Sequence, residues 1–339
     1  MAAKLLSDLA SGVTCVPSNY VRPVHDRPSL DQVEPSDHSI PLINLHGFDG
    51  SRRHEIINQI GLACQNYGFF QVQNHAIEDA VIDNMLKVAR EFFHLPESER
   101  LKCFSEDPLK TTRLSTSFNV KTEEVSSWRD YLRLHCYPLE DYMHEWPSNP
   151  PSFRSGECQR ISRETSGSHI RKLRLRKGLH EQGIGEAWAA HGHQLLSPLP
   201  SAELTYGLPG HADPNVVTLL LQDDVAGLQV FNNGRWVAVK PMPHTFIVNI
   251  GDQIQVVSND RYKSVLHRAV VNCDKERISI PTFYCPSYDA VMEPAPQLVD
   301  DHHPPLYRRF TYAEFYEKFW DRGLNTRSSL DLFKTTSHA

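Results

Sequence analysis

Two histidines and an aspartate are spaced in this sequence as the protein ligands of a metal ion are. His211 and Asp213 lie two residues apart just before a run of β-prone residues, so on a strand their side chains would share one face. His267, in the strand-like segment YKSVLHRAVV, is the candidate third ligand. Imidazole and carboxylate together suit a borderline divalent metal, and three such ligands on one face of an octahedron leave three positions open. We therefore predict a metal site at these three residues.

A second polar pair follows on the next strand-like run. Arg277 and Ser279 lie two residues apart, and Arg277 comes ten residues after His267. A planar guanidinium binds a carboxylate through two parallel hydrogen bonds, and a neighbouring hydroxyl adds a further donor. The pair could hold the far end of a dicarboxylate whose 2-oxo acid end takes two of the open metal positions, leaving the third for dioxygen. The alternative for Arg277 is an ordinary surface ion pair.

Helices and strands alternate in the first third of the chain. IPLINL (residues 40–45) predicts a strand, a helical period over residues 52–67 stops at Gly68, and GFFQVQNH (residues 68–75) again resembles a strand. Residues 77–93 form a second amphipathic pattern that ends before Pro96. Four prolines among charged residues favour an extended arm over residues 1–38.

Short runs rich in β-branched and aromatic residues dominate from Leu204 onwards. VVTLLLQ, GLQVF, TFIVNI and RISIPTFYC, bounded by Gly, Pro, Asn and Asp, predict many short strands of a sandwich or jelly roll. FTYAEFYEKFW (residues 310–320) predicts an aromatic-rich amphipathic helix near the end of the chain.

The composition limits the partners of this chain. A net charge of -6 over 339 residues disfavours non-specific nucleic-acid binding, which requires a surplus of Lys and Arg. Seven cysteines, an odd number with no C-x-x-C pair, indicate reduced thiols. No apolar run reaches the roughly 18 residues of a membrane span. We expect a cytoplasmic monomer with small-molecule ligands and no nucleic-acid or membrane partner.

Four motifs, GLPGHADPN, NIGDQIQVVSN, YKSVLHRAV and RISIPTFYCP, occur in an order that resembles the plant 2-oxoglutarate- and iron(II)-dependent dioxygenase family. ACQNYGFFQVQNH resembles the N-terminal domain of that family, and the resemblance spans residues 38–153 and 201–330. TTRLSTSFNV and WRDYLRLHCYPLEDYMHEWPSNPP are most similar to the branch with salicylate 5-hydroxylases of the downy-mildew-resistance type and flavone synthases I. The resemblance implies an α+β fold, a distorted double-stranded β-helix (jelly roll) with flanking N-terminal and C-terminal helices.

The resemblance also implies roles for individual residues. His211, Asp213 and His267 match iron(II) ligands, and Arg277 and Ser279 match the site for the 2-oxoglutarate carboxylate. The candidates for contact with an aromatic substrate are Phe283, Tyr131, Phe118 and Arg113, of which the last two are the weaker matches. Core packing is the alternative for Phe283 and Tyr131, and a solvated surface charge is the alternative for Arg113.

The implied reaction is oxidative decarboxylation of 2-oxoglutarate, coupled to hydroxylation or desaturation of a small aromatic acceptor such as a flavanone or salicylate. Ascorbate is the expected reductant. A zinc hydrolase could use the same three ligands to activate water, although that reaction needs no carboxylate clamp at Arg277 and Ser279. An inactive relative that only binds ligands is the remaining alternative.

Residues 154–200 fit neither half of the chain. Eight Lys or Arg against two Glu lie between Arg154 and Gly178, and we find neither helical nor alternating apolar periodicity in the segment. We therefore predict five parts of the chain: an arm (1–38), an N-terminal domain (39–153), this atypical segment (154–200), a catalytic domain (201–300) and a C-terminal helix with tail (301–339).

A shifted reading frame is one hypothesis for residues 168–200, and a divergent loop is the other. With suitable codons read one nucleotide later, IRKLRLRKGLH (residues 170–180) can spell SESLGLEKDY, and AHGHQLLSPLP (residues 190–200) can begin HMAINYY. Both products resemble the segments that the dioxygenase family has at this place. On this hypothesis the chain as written lacks a core-lining strand, and we predict weak or absent activity.

Overall fold

The computed structural model describes residues 5–10, 12–29, 33–34, 40–116, 123–154, 156–163, 165, 187–324 and 328–335. Its helices are α1 (Leu6–Ala10), α2 (Arg53–Asn66), α3 (Asp79–Phe93), α4 (Glu97–Arg100), α5 (Leu139–Tyr142), α6 (Gly156–Arg163), α7 (Asp252–Val257) and α8 (Tyr312–Arg322). The strands of the first half are β1 (Leu42–Asn44), β2 (Phe69–Gln73), β3 (Thr112–Ser115), β4 (Asp130–Tyr137) and β5 (Trp188–Leu196). The strands of the second half are β6 (Leu208–His211), β7 (Val217–Gln222), β8 (Leu228–Asn232), β9 (Arg235–Ala238), β10 (Phe246–Ile250), β11 (His267–Ala269), β12 (Arg277–Cys285), β13 (Val291–Met292) and β14 (Phe310–Thr311).

Two facing sheets form the body of the fold. The larger has eight strands in the order β1-β2-β10-β7-β12-β5-β4-β3, and the smaller has four in the order β6-β11-β8-β9. Phe69 and Ile247 of the large sheet share a buried cluster with Leu228 and Val230 of the small one, so the sheets pack face to face. This arrangement with its flanking helices is the predicted jelly roll.

Two amphipathic helices pack against the large sheet, close to their predicted bounds. Ile56 and Ile60 of α2 and Val81 and Met85 of α3 are buried in the main core cluster. Gly68 links α2 to β2 with a φ of +63°, and a Cβ atom there would lie 2.3 Å from the carbonyl oxygen of Lys263. Only glycine fits this turn, which explains why the helical pattern stops there.

The N-terminal arm differs from its predicted extended form at Leu6–Ala10, which is the helix α1. The backbone N–H groups of Leu6 and Ser7 donate to the two carboxylate oxygens of Asp130, each at 2.9 Å. A carboxylate at this end satisfies donors that a helix leaves free. Because Asp130 lies far along the chain, local sequence could not indicate this helix.

Residues 154–200 also differ from their prediction, because part of the segment is regular structure. α6 covers Gly156–Arg163, and β5 covers Trp188–Leu196 between β4 and β12 in the large sheet. The expectation that the chain as written lacks a strand here was therefore wrong. Residues 170–180, the first part of the frame hypothesis, lie outside the described residues. None of the helices in the described part of the chain is long and apolar enough to cross a membrane.

Candidate active site

The smaller sheet brings the three predicted metal ligands together. His211 ends β6 and pairs in register with His267 of β11, and Asp213 follows in the turn before β7. One ligand atom from each residue lies within 4.8 Å of the other two. The Asp213 Oδ1 atom is 3.5 Å from His211 Nε2 and 3.7 Å from His267 Nε2.

Backbone carbonyls fix the orientation of both imidazoles. His211 Nδ1 lies 2.9 Å from the oxygen of Pro209, and His267 Nδ1 lies 3.2 Å from that of Val265. Since a carbonyl oxygen can only accept, each Nδ1 is the protonated nitrogen and donates. The Nε2 lone pair of each ring can then point at the space beside Asp213. Histidine ligands of metal ions are commonly oriented in this way, by a hydrogen bond from the ring nitrogen that does not bind the metal.

The carboxylate of Asp213 is oriented in the same way. Its Oδ2 atom accepts hydrogen bonds from Thr218 Oγ1 at 2.6 Å and Asn249 Nδ2 at 2.7 Å, which leaves Oδ1 for a metal. Burial alone would raise the pKa of Asp213, but His267, His211 and Thr218 together hold it below its usual range. The sequence showed Thr218 and Asn249 only as members of β runs, so their role was missed.

The protonation states suit a cation. Burial, reinforced by the neighbouring His211, lowers the pKa of His267 to about 4, so its imidazole is neutral at physiological pH. Two imidazoles and one carboxylate, with open space beyond them, are a donor set for iron(II) in the 2-His-1-carboxylate arrangement. His211, Asp213 and His267 would hold the ion.

Arg277 and Ser279 lie on β12, on the same face of the strand as Phe283. Arg277 is buried rather than on the surface, and its guanidinium donates to Gln222 Oε1 at 2.7 Å, Ser279 Oγ at 3.0 Å and the Val225 carbonyl at 3.2 Å. Burial lowers the pKa of Arg277 to about 10, so it stays charged at neutral pH. The surface ion pair considered for Arg277 is therefore wrong.

A cavity opens beside the metal ligands, and three of the four predicted substrate residues line it. Tyr131, Phe283 and Arg113 share this cavity with His211 and Asp213. Phe118 lies outside the described residues. Among the described residues that line the cavity, neither Arg277 nor Ser279 is present. Gln194 of β5 does line the cavity, and it pairs in register with Ser279 on one side and with Tyr131 on the other.

Aromatic side chains of the C-terminal helix close the cavity on another side. Tyr312, Tyr316, Phe319 and Trp320 of α8 line it together with Trp188 of β5. Thr311 begins α8, and its side-chain oxygen accepts from the backbone N–H of Glu314 at 3.2 Å. The aromatic run was predicted as a helix, but its part in the cavity was not.

Two further arginines, Arg129 and Arg133, line the same cavity and were missed. They alternate with Tyr131 in the motif WRDYLRL, so a strand places all three on one face. This alternation in the sequence could have indicated that Arg129 and Arg133 face the same side as Tyr131.

Family models match most of both halves of the chain. A model described as the 2OG-Fe(II) oxygenase superfamily matches residues 189–286, which include every proposed metal and cosubstrate residue. A model of the non-haem dioxygenase N-terminal region, named for morphine synthesis, matches residues 40–151. The chain belongs to the 2OG-Fe(II) oxygenase superfamily.

Curated members of the superfamily are similar over nearly the whole chain. Protein DMR6-LIKE OXYGENASE 2 of Arabidopsis thaliana is 54% identical, with 99% of each chain covered. Protein DOWNY MILDEW RESISTANCE 6 of the same plant is 49% identical over 98% of this chain and 99% of its own. Flavanone 3-dioxygenase 2 of Oryza sativa subsp. japonica is 47% identical, with 94% of each chain covered. The predicted branch of the family is confirmed.

A solved structure of the superfamily has the same fold. The crystal structure of JOX2 in complex with 2OG, Fe and JA superposes with a TM-score of 0.84 at 32% identity, covering 99% of this chain and 98% of that one. Family membership makes the protein a dioxygenase that uses iron(II) and 2-oxoglutarate, and it decides against the zinc hydrolase.

Proposed function

We propose that this dioxygenase oxidises a small aromatic acceptor, by hydroxylation or desaturation, with salicylate and flavanones as the candidates. The observation that carries the proposal is the cavity in which His211 and Asp213 meet an aromatic wall. Tyr131 and Phe283 approach each other across Gly192, where an added Cβ atom would lie 2.6 Å from the Tyr131 ring and 3.1 Å from the Phe283 ring. Rings at this place offer flat faces to a flat acceptor.

The roles of the residues follow from their positions. His211, Asp213 and His267 would hold iron(II), and Arg277 with Ser279 would bind the distal carboxylate of 2-oxoglutarate. When bound, iron(II), 2-oxoglutarate and dioxygen supply the oxidising chemistry, which belongs to the cofactors. The protein orients the acceptor on Tyr131 and Phe283, and the aromatic side chains of α8 exclude water.

The rice relative carries flavanone in its name, which supports an aromatic acceptor of that class for this chain. Salicylate is a candidate because TTRLSTSFNV and the segment from Trp128 resemble the salicylate 5-hydroxylase branch. Ascorbate as reductant, a monomeric state, a cytoplasmic location and the lack of a nucleic-acid partner stay proposals from the composition and the resemblance.

Incubation with each acceptor tests the proposal. The purified chain is supplied with iron(II) and 2-oxoglutarate, or with zinc alone, and either salicylate or a flavanone. Mass spectrometry should detect an acceptor changed by one oxygen or by two hydrogens, together with succinate, only in the iron samples. Succinate without any change in either acceptor would mean that the acceptor belongs to another class.

A catalytically impaired chain is a second candidate, favoured by one observation in β5. His193 is fully buried, and neither of its ring nitrogens has a hydrogen-bond partner among the described residues. Read one nucleotide later, the segment can place isoleucine at this position, which needs no partner. The buried histidine therefore supports the frame hypothesis for residues 168–200.

Replacement of residues 168–200 by the re-read segment tests this second candidate. We expect the replaced chain to turn over 2-oxoglutarate faster than the chain as written. Sequencing of the transcript checks the frame directly. Full activity of the chain as written, with an unshifted frame in the native message, would refute the hypothesis.

A further inference from the structure

A buried carboxylate, that of Asp223, organises the loop beside the cosubstrate arginine. Asp223 directly follows β7, and its side chain is only 5% exposed. Its Oδ1 atom accepts a hydrogen bond from the backbone N–H of Val225 at 3.1 Å, and its Oδ2 atom accepts one from that of Ile278 at 2.7 Å. Val225 belongs to the loop before β8, whereas Ile278 follows Arg277 on β12. The carboxylate therefore links this loop to the start of β12.

This link fixes the position of the Arg277 guanidinium. The Nε atom of Arg277 donates to the carbonyl of Val225 at 3.2 Å, and Val225 is the residue whose N–H group Asp223 holds. The Nη2 atom donates to Gln222, which directly precedes Asp223, at 2.7 Å. Gly227 of the same loop lies close against the arginine, because an added Cβ atom there would lie 2.7 Å from Arg277 Cδ. The connection from β7 to β8 thus encloses the arginine side chain.

Asp223 also supplies negative charge to this buried cation. The three hydrogen bonds that the Arg277 guanidinium makes to described residues go to an amide, a hydroxyl and a carbonyl, none of which is charged. The negative charge of Asp223 opposes the effect of burial, which lowers the pKa of Arg277 to about 10. Burial in turn raises the pKa of Asp223, and its two backbone donors, Arg277 and Arg90 oppose that increase. Since a guanidinium has five N–H donors, two of them remain for a ligand carboxylate.

The last turn of α3 connects this loop to the N-terminal half of the chain. Arg90 donates through Nη2 to Asp223 Oδ2 at 3.4 Å and through Nε to Glu276 Oε1 at 3.1 Å. His94, directly after α3, lies with its Nε2 atom 3.1 Å from the other carboxylate oxygen of Glu276. Since Glu276 directly precedes Arg277, Arg90 contacts both the loop and the start of β12. α3 therefore fastens the two segments that hold the cosubstrate arginine.

We infer that Asp223 and Arg90 are positioning residues for the cosubstrate: Asp223 sets the guanidinium of Arg277, and Arg90 holds Asp223 from α3. The inference deepens the proposed function and rests on the binding of the distal carboxylate of 2-oxoglutarate by Arg277. Both residues act through Arg277, because the oxygens of Asp223 already accept from backbone groups and from Arg90. The affinity for 2-oxoglutarate then depends on a helix of the N-terminal half of the chain.

Two 2-oxo acids that differ only at their far end test the inference. 2-Oxopentanoate has the same carbon chain as 2-oxoglutarate, with a methyl group in place of the distal carboxylate. The full chain is loaded with iron(II) under argon, and its affinity for each acid is measured by calorimetry. Since a hydrogen bond to a charged group gives about 10- to 100-fold in affinity, we expect the unaltered chain to bind 2-oxoglutarate more tightly by that factor. We call the ratio of the two affinities the distal preference, because it measures the contact with Arg277.

The variant Asp223→Asn should reduce the distal preference about tenfold. Asparagine keeps the size of the side chain, but it is uncharged and its amide nitrogen cannot accept a hydrogen bond from a backbone N–H group. Arg90→Gln should reduce the distal preference by about two- to fivefold, because Arg90 is partly exposed and such ion pairs contribute less. Since Arg90 lies nearer the surface, this second variant tests the inference even if Asp223→Asn fails to fold.

Lys87→Gln is the matched control from the same helix. Lys87 lies one turn before Arg90 on α3, is exposed, and pairs with Glu91 at 3.8 Å. This variant should keep the distal preference of the unaltered chain. In every variant the affinity for 2-oxopentanoate should stay unchanged, because that acid has no distal carboxylate. A general loss of structure in Asp223→Asn or Arg90→Gln would weaken the binding of both acids equally and leave the ratio as it was, which would contradict the inference.

Combination with Arg277→Lys shows whether Asp223 acts through Arg277. If it does, Asp223→Asn should cost nothing further in distal preference once the guanidinium fork has been removed. Losses that add up in the double variant would mean that Asp223 acts on the cosubstrate independently of Arg277, and would overturn the inference.

The distal preference of the unaltered chain also tests the proposed function itself. If the unaltered chain binds both acids equally, the carboxylate clamp at Arg277 is wrong, and the inference fails with it. If 2-oxoglutarate is preferred and the preference survives in both Asp223→Asn and Arg90→Gln, the clamp stands and only the positioning roles are refuted.

Discussion

Replacing His193 with isoleucine should stabilise the protein, which is unusual for a change in a fully buried position. The ring of His193 is buried in β5 and meets Phe153 edge to face, with the ring centroids 5.4 Å apart. Burial and the neighbouring His191 hold the pKa of His193 well below its usual value, so the imidazole is neutral. A neutral imidazole has one donor and one acceptor, and both are buried without partners among the described residues.

The expected gain follows from these two groups. A buried polar group without a partner costs about 1–3 kcal/mol, so removal of two should raise the free energy of unfolding by about 2 kcal/mol or more. Isoleucine is close in size to histidine and favours strands. With an unfolding entropy of about 2.1 cal/mol/K per residue, each kcal/mol shifts the melting temperature of a 339-residue chain by about 1.4 °C, so an increase of about 3 °C or more is expected.

His191, two residues earlier on the same strand, provides the matched control. It is equally buried, but its Nε2 lies 2.8 Å from Ser162 Oγ and its Nδ1 lies 2.9 Å from Thr282 Oγ1. His191→Ile would take a partner from each hydroxyl and should lower the stability by about 1–3 kcal/mol. Thermal unfolding followed by circular dichroism compares both variants with the unaltered chain. A lower melting temperature for His193→Ile would show that His193 is paired in solution and would refute the reasoning.

Four further outcomes can be measured. Asp213→Ala should abolish succinate formation and reduce bound iron, because the ligand that faces both imidazoles is lost; normal succinate formation would contradict the metal site. Arg277→Lys keeps the charge but loses the fork that contacts Gln222, Ser279 and Val225, so the KM for 2-oxoglutarate should rise about tenfold or more; an unchanged KM would place the clamp elsewhere. Phe283→Ala should raise the KM for the acceptor while the chain stays folded, and loss of folding would favour core packing instead. Burial lowers the pKa of His191 to about 4 in the folded protein. As the pH falls, the unfolded chain therefore takes up this proton before the folded chain does, and the free energy of unfolding should fall by about 1.4 kcal/mol for each pH unit from 6.5 down to 4. Urea titrations of the unaltered chain and of His191→Gln measure how much of that slope belongs to His191.

The parts of the fold that local patterns determine were predicted well. α2 and α3 lie within one or two residues of their predicted bounds because their apolar positions repeat at helical spacing and end at Gly68 and before Pro96. The Arg277–Ser279 pair was recognisable because a spacing of two residues places side chains on one face of a strand, here β12. His211 and Asp213 were chosen on the same argument, but only His211 lies on a strand, and Asp213 comes beside it from the turn that follows β6.

The parts that distant contacts determine were missed. β5 carries His191, Gly192, His193 and Gln194 at positions that a buried strand would normally fill with apolar residues, so no alternation was visible. Its neighbours β4 and β12 impose the strand through their backbone hydrogen bonds. Arg129 and Arg133 were missed because an arginine in a strand-like motif is ordinarily a surface residue, and only the cavity shows that they face inwards.

The order of strands in the large sheet has a consequence for synthesis of the protein on the ribosome. β2 lies beside β10, and β5 lies between β4 and β12, so early strands pair with strands from far later in the chain. At roughly 5–20 residues per second, β2 has to wait on the order of ten seconds or more before β10 has been made. During that time the apolar residues of β2 have no sheet partner on that side. We therefore expect the nascent chain to depend on chaperones until β12 emerges, and the matched regions 40–151 and 189–286 not to fold separately.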